Sequence, residues 1–276
     1  MKLEGNVALI TGSGKKSGIG FAIAKKFASQ GADIVIADYG DNPAVESDVK
    51  TGTFSEMKII AEELRTGFNI NALAVNVDVT DTAAVSAMAD TVKEEFGKID
   101  ILCNNAGATF GVPNCIHTYG ESDWLKTIDV NLHGVFRVSK AMVPLMQDQG
   151  GAIINIASRA GKVPALFNGA YSVSKAGVIM LTKVMARELS GLKIRVNAIC
   201  PGQIMTDLEK WRFGLEARFF NTTPEEQEEK MCRTIPLGRI GKPEEVADTA
   251  LFLAGETASY ITGQAVNVCG GQLMEL

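Results

Sequence analysis

The chain has 276 residues, 46% of them hydrophobic, enough to bury a sizeable core, and no Pro/Ser-rich linker divides it, so a single domain over 1–276 is expected. A formal net charge of -5 with scattered lysines and arginines gives no basic footprint for nucleic acid, and no apolar run approaches the length of a membrane span. Five cysteines without a CxxC pair and the absence of a leader-type apolar stretch suggest a cytoplasmic protein with reduced thiols, and two histidines, His117 and His133, argue against a His-based metal site.

In chain order, the first element is the apolar run 7–10, bounded by Gly5 and by Thr11 and Gly12, which reads as a buried parallel strand. Gly12-Ser13-Gly14-Lys15-Lys16-Ser17-Gly18-Ile19-Gly20 follows, and residues 21–28 then carry apolar positions at helical spacing. In a strand, glycine-rich turn and helix of this kind, backbone amides approach a pyrophosphate at the helix N-terminus, where the dipole favours negative charge. A second strand over 33–37 leads to Asp38, placed where an acid accepts the hydroxyls of an adenosine ribose. A glycine cluster by itself would mark only a tight turn; strand, turn, helix, strand and acid in this order predict a dinucleotide site.

Helical patterns over 55–65, 82–96, 122–149, 171–189 and 243–254 separate apolar strands near 71–77, 101–104, 152–156 and 194–199, and 265–268 closes the series. This alternation predicts an α/β fold, a Rossmann-like doubly wound parallel sheet with helices on both faces. Asn104, Ser158 and Pro201 each follow a strand and so converge at the carboxyl ends, where ligands bind.

Tyr171 and Lys175 stand four apart in the helix at 171–189, so their phenol and ammonium share one face. A free tyrosine has a pKa of roughly 10 and is a poor base at neutral pH, whereas a neighbouring cation favours the phenolate. Ser158, thirteen residues before Tyr171, is placed to hold a substrate oxygen. On its own the pair would read as an ordinary amphipathic surface; the dinucleotide pattern upstream gives it a partner for chemistry.

These residues together make the chain resemble the short-chain dehydrogenases/reductases, over about 2–271. The matching pieces are the loop 11–20, Asp78-Val79, Asn104-Asn105-Ala106-Gly107, Asn131, Ser158, Tyr171 with Lys175, and Pro201-Gly202 followed by Thr206. The resemblance implies an oxidoreductase that interconverts a secondary alcohol and a ketone by hydride transfer with NAD or NADP. It places Gly12, Ser13, Ser17, Gly18, Ile19 and Gly20 around the pyrophosphate, Asp38 with Tyr39 at the ribose, and Asp78 and Val79 at the adenine. Asn105, Ala106, Gly107, Pro201, Gly202 and Ile204 would line the cleft, and Thr206 would contact the nicotinamide amide. Asn131, Ser158, Tyr171 and Lys175 would form a catalytic tetrad: Tyr171 exchanges the hydroxyl proton, Lys175 holds the nicotinamide ribose, Ser158 bonds the reacting oxygen and Asn131 anchors a water.

The sequence departs from the family pattern in two places. Five residues rather than three separate Gly12 from Gly18, and Lys15 and Lys16 in this insertion either reach cofactor phosphate or stand as solvated tips. Residues 39–54 form a longer link than usual, expected as an exposed loop near the adenine end; relatives with such an excursion hold NAD tightly, so slow cofactor release is an open expectation. The segment 207–232 falls where the family carries a substrate-covering lid; its Trp211, Arg212, Phe213, Arg218, Phe219 and Phe220 fit a lid or the apolar stripe of a packed helix.

Asp38 repels the extra phosphate of NADP and no arginine follows it, so NAD is the expected cofactor. Arg159, Asn168, Gln203, Trp211 and Arg212 are candidate substrate contacts, and their polarity favours a sugar, polyol or other polar small molecule. A 3-oxoacyl-thioester reductase, a hydroxysteroid or cyclic-alcohol dehydrogenase and a non-enzymatic NAD(H) sensor are the alternatives; four competent tetrad positions speak against the sensor. By resemblance the last strand and the helices at 122–149 and 171–189 pair around two-fold axes, which implies a homotetramer.

Overall fold

The computed structural model describes residues 3–40 and 52–275. The expected loop at 39–54 falls largely outside the described residues. Seven strands form one parallel sheet: β1 (Val7–Thr11), β2 (Asp33–Asp38), β3 (Ala72–Asn76), β4 (Ile101–Asn104), β5 (Gly151–Ile156), β6 (Ile194–Pro201) and β7 (Ala265–Val268). Their spatial order is β3-β2-β1-β4-β5-β6-β7. β1 is buried along its whole length, which is why it reads as an unbroken apolar run.

Successive side chains point to opposite faces. Ile10, Ile34 and Ile36 join Phe27, Met57 and Val246 in a core on one face, whereas Leu9, Val35 and Leu102 join Val92, Met142 and Ile153 on the other. Each fully buried Leu, Ile or Phe contributes about 1.5–3 kcal/mol. The covering helices are α1 (Ile19–Ala28), α2 (Phe54–Phe68), α3 (Thr82–Phe96), α4 (Glu121–Ile128), α5 (Gly134–Met142), α6 (Gly169–Glu188), α7 (Asp207–Phe220), α8 (Pro224–Cys232) and α9 (Pro243–Ala254). The chain winds outward from β1 to β3 and then crosses back to β4, so the direction of winding reverses between β1 and β4. Ligand crevices open at such a reversal.

The helix expected over 122–149 is not continuous. A π turn at Asp129–His133 separates α4 from α5, and a short 3-10 turn ends the segment at Val143–Leu145. Asn131 supplies the physical cause: its Nδ2 donates to the Thr127 carbonyl four residues back at 2.7 Å and to the Ala108 carbonyl at 2.6 Å. The side chain thereby takes an acceptor from the helical ladder, and the widened turn is the result. The segment 207–232 also divides, into α7 capped by Thr206 and α8 opened by a capping box between Thr223 and Glu226. Phe213 and Ala217 are buried, while Phe219 and Phe220 are exposed and stack edge to face at 5.1 Å, so the segment is partly a packed helix and partly open apolar surface. No helix among the described residues is long and apolar enough to cross a membrane.

Candidate active site

The glycine-rich turn leaves the carboxyl end of β1 with Gly12 at φ 67°, a conformation costly for residues with a side chain. A Cβ on Gly12 would come within 2.8 Å of the Ala106 Cα, and one on Gly20 within 2.4 Å of the Gly12 carbonyl oxygen. The turn after β4 locks this approach. Asn105 Nδ2 donates to the Thr11 and Gly12 carbonyls at 2.9 and 2.8 Å, and Thr11 Oγ1 accepts from the amides of Asn105 and Ala106 at 3.0 and 3.1 Å. α1 then starts at Ile19 with no side-chain cap on its first amides. An uncapped N-terminus behind a glycine turn is a fitting seat for a pyrophosphate.

Ser13 turns its side chain away from the loop's open side. It is fully buried, and its hydroxyl donates back to the Ile10 carbonyl at 2.7 Å, so its side chain braces the turn from behind. Asp38 is committed in part to the same turn: Oδ2 accepts from the Gly14 amide at 2.7 Å and Oδ1 from the Tyr39 amide at 2.8 Å. Burial pushes its carboxyl up from the ordinary value, while these two bonds oppose the shift. Each oxygen keeps a second lone pair for a ribose hydroxyl. Both insertion lysines have acidic partners, which replaces the expectation of solvated tips: Lys15 meets Asp207 at 2.7 Å and Lys16 meets Glu63 at 2.6 Å. Asp78 Oδ1 takes the Thr80 amide and hydroxyl at 2.8 and 2.7 Å, and Val79 lies against Gly134. Thr11, Val79, Asn104, Ala106 and Val130 pack closely together at the reversal of winding, where a ligand crevice is expected.

Across this crevice stand the four residues of the expected tetrad. Ser158 follows β5 and caps the 3-10 turn Arg159–Gly161, its Oγ accepting from the Ala160 amide at 3.1 Å. The Ser158 hydroxyl stands near enough to the Tyr171 phenol to favour its ionised form. One turn further along α6, Lys175 is 3% exposed; its Nζ donates to the Ile156 carbonyl at 2.8 Å and lies 5.6 Å from the Tyr171 ring centroid. A Cβ on Gly107 would meet Asn131 Oδ1 at 2.8 Å and Lys175 Nζ at 3.4 Å, so glycine here lets these two groups close on the cleft.

The electrostatics differ from the sequence expectation. Burial dominates at Tyr171 and raises its phenol above the ordinary value; the Ser158 hydrogen bond opposes this, and the nearby Glu209 carboxylate adds to it. Burial also pushes Lys175 down to about 8. The amine by itself therefore does not bring the phenol into the neutral range.

The β6 end supplies the remaining cleft residues. The Gly202 amide donates to the Val268 carbonyl at 2.9 Å, and Ile204 is buried against Gly241. Thr206 Oγ1 accepts from the Glu209 amide at 3.4 Å as the cap of α7. Of the substrate candidates, Asn168 lies just before α6 and its Oδ1 accepts from Thr109 Oγ1 at 3.0 Å. Arg159 is half-buried in the turn after Ser158, and Gln203 and Trp211 are half-buried after β6. Arg212 pairs within its own helix, donating to Glu209 at 2.6 Å with Glu216 at 3.7 Å. No motif in the sequence marks Glu209. In the fold its carboxyl is buried and pushed up to about 7 by that burial, the Arg212 charge opposing.

A family model described as enoyl-(acyl carrier protein) reductase matches residues 12–272. The chain belongs to the short-chain dehydrogenase/reductase family. It is an oxidoreductase of that family. It is 38% identical to the 3-oxoacyl-(acyl-carrier-protein) reductase of Thermotoga maritima, over 98% of this chain and 99% of the relative. The structure of L-sorbose reductase from Gluconobacter frateurii, complexed with NADPH and L-sorbose, superposes with a TM-score of 0.89 at 32% identity, covering 100% of this chain and 99% of that one. NAD+-bound xylitol dehydrogenase gives 0.87 at 31% identity, covering 98% and 100%.

Proposed function

We propose that this short-chain dehydrogenase/reductase interconverts a secondary alcohol and a ketone on a sugar, polyol or other polar small molecule, with NAD preferred to NADP. The observation that carries this reading is the approach of Asn131 and Lys175 to Gly107, in the turn that Asn105 ties to the glycine-rich loop, with Ser158 beside Tyr171. When bound, the nicotinamide supplies the hydride donor or acceptor. The Gly12 to Gly20 turn and the α1 amides hold the pyrophosphate, Asp38 the ribose, and Asp78 with Val79 the adenine. Ser158 hydrogen-bonds the reacting oxygen and fixes its distance to Tyr171. Tyr171 takes the hydroxyl proton in oxidation and returns it in reduction. Lys175, anchored by the Ile156 carbonyl, would hold the nicotinamide ribose beside the Tyr171 ring.

Asn168 and Thr109, already bonded to each other, add polar groups ahead of α6, and this supports a hydroxyl-bearing substrate. The names of two structural neighbours, a sorbose reductase and a xylitol dehydrogenase, point the same way. Residues 207–232 act in this reading as the cover over the substrate. Leu125, Phe136, Val173, Met180 and Val184 are exposed on α4, α5 and α6, and this apolar surface supports assembly of the chain into a homotetramer.

A second reading, reduction of 3-oxoacyl thioesters, draws on the Thermotoga maritima relative. Turnover of polyols, sugars, hydroxysteroids and 3-oxoacyl thioesters with each cofactor separates the readings. The proposed function gives its highest kcat/KM on a polyol or sugar with NAD. A highest kcat/KM on a thioester with NADPH establishes the second reading instead.

A further inference from the structure

Asp207 is the first residue of α7, yet its carboxylate engages a loop 190 positions earlier in the chain. Oδ2 accepts from Ser17 Oγ at 2.8 Å and from Lys15 Nζ at 2.7 Å, and Lys210 stands 3.9 Å from Oδ1. Ser17 immediately precedes Gly18 at the uncapped N-terminus of α1, where the dipole favours an anion. We infer that Asp207 is an internal anion occupying donors that cofactor phosphate needs, so that dinucleotide binding has to displace it and thereby releases the start of α7 from the glycine-rich loop.

The inference rests on the proposed placement of cofactor phosphate at Ser17. A serine hydroxyl has one proton to donate, so Ser17 serves Asp207 or a phosphate oxygen but not both. Carboxylate and phosphate oxygens are equivalent acceptors for such a charge-assisted bond. The two-residue insertion acquires a role in this account, since it carries the lysine that reaches Asp207. The bonds from Lys15 and Ser17 hold the Asp207 carboxyl below its ordinary value, so it presents a full charge at neutral pH. Thr206, the α7 cap, is the adjacent residue, and release of Asp207 therefore acts at the hinge of the segment proposed to cover the substrate. Linkage makes the coupling reciprocal: loosening Asp207 tightens the cofactor to the same extent that the cofactor loosens Asp207.

Asp207→Asn keeps the shape and an acceptor for Ser17 while removing the charge that binds Lys15; Asp207→Ser serves as a second variant suited to a helix start. Calorimetric titration with NAD, and with inorganic pyrophosphate as the bare anion, gives the dissociation constants of wild type and both variants. Both ligands are expected to bind the variants about two- to fivefold more tightly, in line with loss of one partly exposed ion pair. Hydrogen exchange of the first α7 amides is expected to rise on adding NAD to wild type, and to be already high in the variants without NAD. Unchanged or weaker binding of NAD to the variants makes Asp207 a brace rather than a competitor and overturns the inference while leaving the cofactor assignment standing. Failure of NAD and NADP to bind either wild type or variant overturns the assignment and the inference together.

Discussion

Two buried polar clusters share β5 and α6, and they are built to opposite ends. In the first, Asn104 Nδ2 donates to Ser139 Oγ at 2.9 Å and to Asn155 Oδ1 at 2.8 Å, and Asn155 Nδ2 donates to Thr182 Oγ1 at 2.9 Å. None of these groups titrates near neutral pH, and the bonds tie β4 and β5 to α5 and α6. The second begins one residue along β5, at the Ile156 carbonyl, and two turns earlier on the same face of α6, at Lys175. It contains an amine pushed down to about 8 and a phenol pushed up, both by burial. The first cluster shows how this fold fixes polar groups for stability; the second leaves protons that can be moved.

Exchanging function for stability is the strongest test of that contrast. Lys175→Met is expected to lower turnover by at least about a hundredfold. Its thermal midpoint at neutral pH should equal or exceed that of wild type, because wild type carries a buried ammonium whose removal is worth about 1–3 kcal/mol. The sign follows from linkage. A folded pKa of about 8 lies below the ordinary 10.5, so between these values the unfolded chain keeps a proton that the native protein has lost. Wild-type stability therefore rises through that window, and the Lys175→Met variant should lack this rise in a calorimetric pH series.

Asn155→Leu reverses the pattern. It removes one bond each from the Asn104 amide, which keeps Ser139, and the Thr182 hydroxyl, which keeps the Val178 carbonyl, and should cost about 1–2 kcal/mol in denaturant unfolding, with kcat held within about threefold of wild type. A kcat loss as large as that of Lys175→Met would mean that the two clusters are one functional network.

Glu209→Gln gives the smallest effect. Removing the carboxylate that raises the Tyr171 phenol should move the phenol-governed limb of the kcat/KM profile to lower pH by less than about one unit. Glu209 has a folded pKa of about 7 against an ordinary 4.5, so the native protein holds a proton across that interval that the unfolded chain releases. Wild-type stability consequently falls as pH rises through it, and the variant's thermal advantage should grow from about pH 5 to about pH 8. An advantage that stays constant with pH would place the Glu209 carboxyl in solvent contact.

The sheet and the tetrad were legible because they depend on local order. β1 announces itself as an apolar run before glycines, and Tyr171 and Lys175 share a face by helical arithmetic alone. The break at Asn131 was hidden, since the apolar period of 122–149 carries no trace of a side chain that takes its own i-4 carbonyl. The hydroxyl of Ser13 was hidden for a related reason: its position in the turn is local, whereas its inward direction is set by the Ile10 carbonyl. Asp207 and Glu209 lay beyond the sequence because their partners, Ser17 and Tyr171, reach them only through the tertiary fold. The Arg212 side chain shows the limit of reading polarity as specificity, because an arginine three residues from a buried glutamate satisfies that acid first.

The account's central claim is that the movable proton belongs to Tyr171. Tyr171→Phe removes the phenol and keeps the ring, so parallel measurement of turnover and of the cofactor dissociation constant isolates that proton. The prediction is a fall in kcat of at least about a hundredfold on the best substrate with cofactor affinity within about threefold of wild type. Near wild-type kcat in the Tyr171→Phe variant would contradict it.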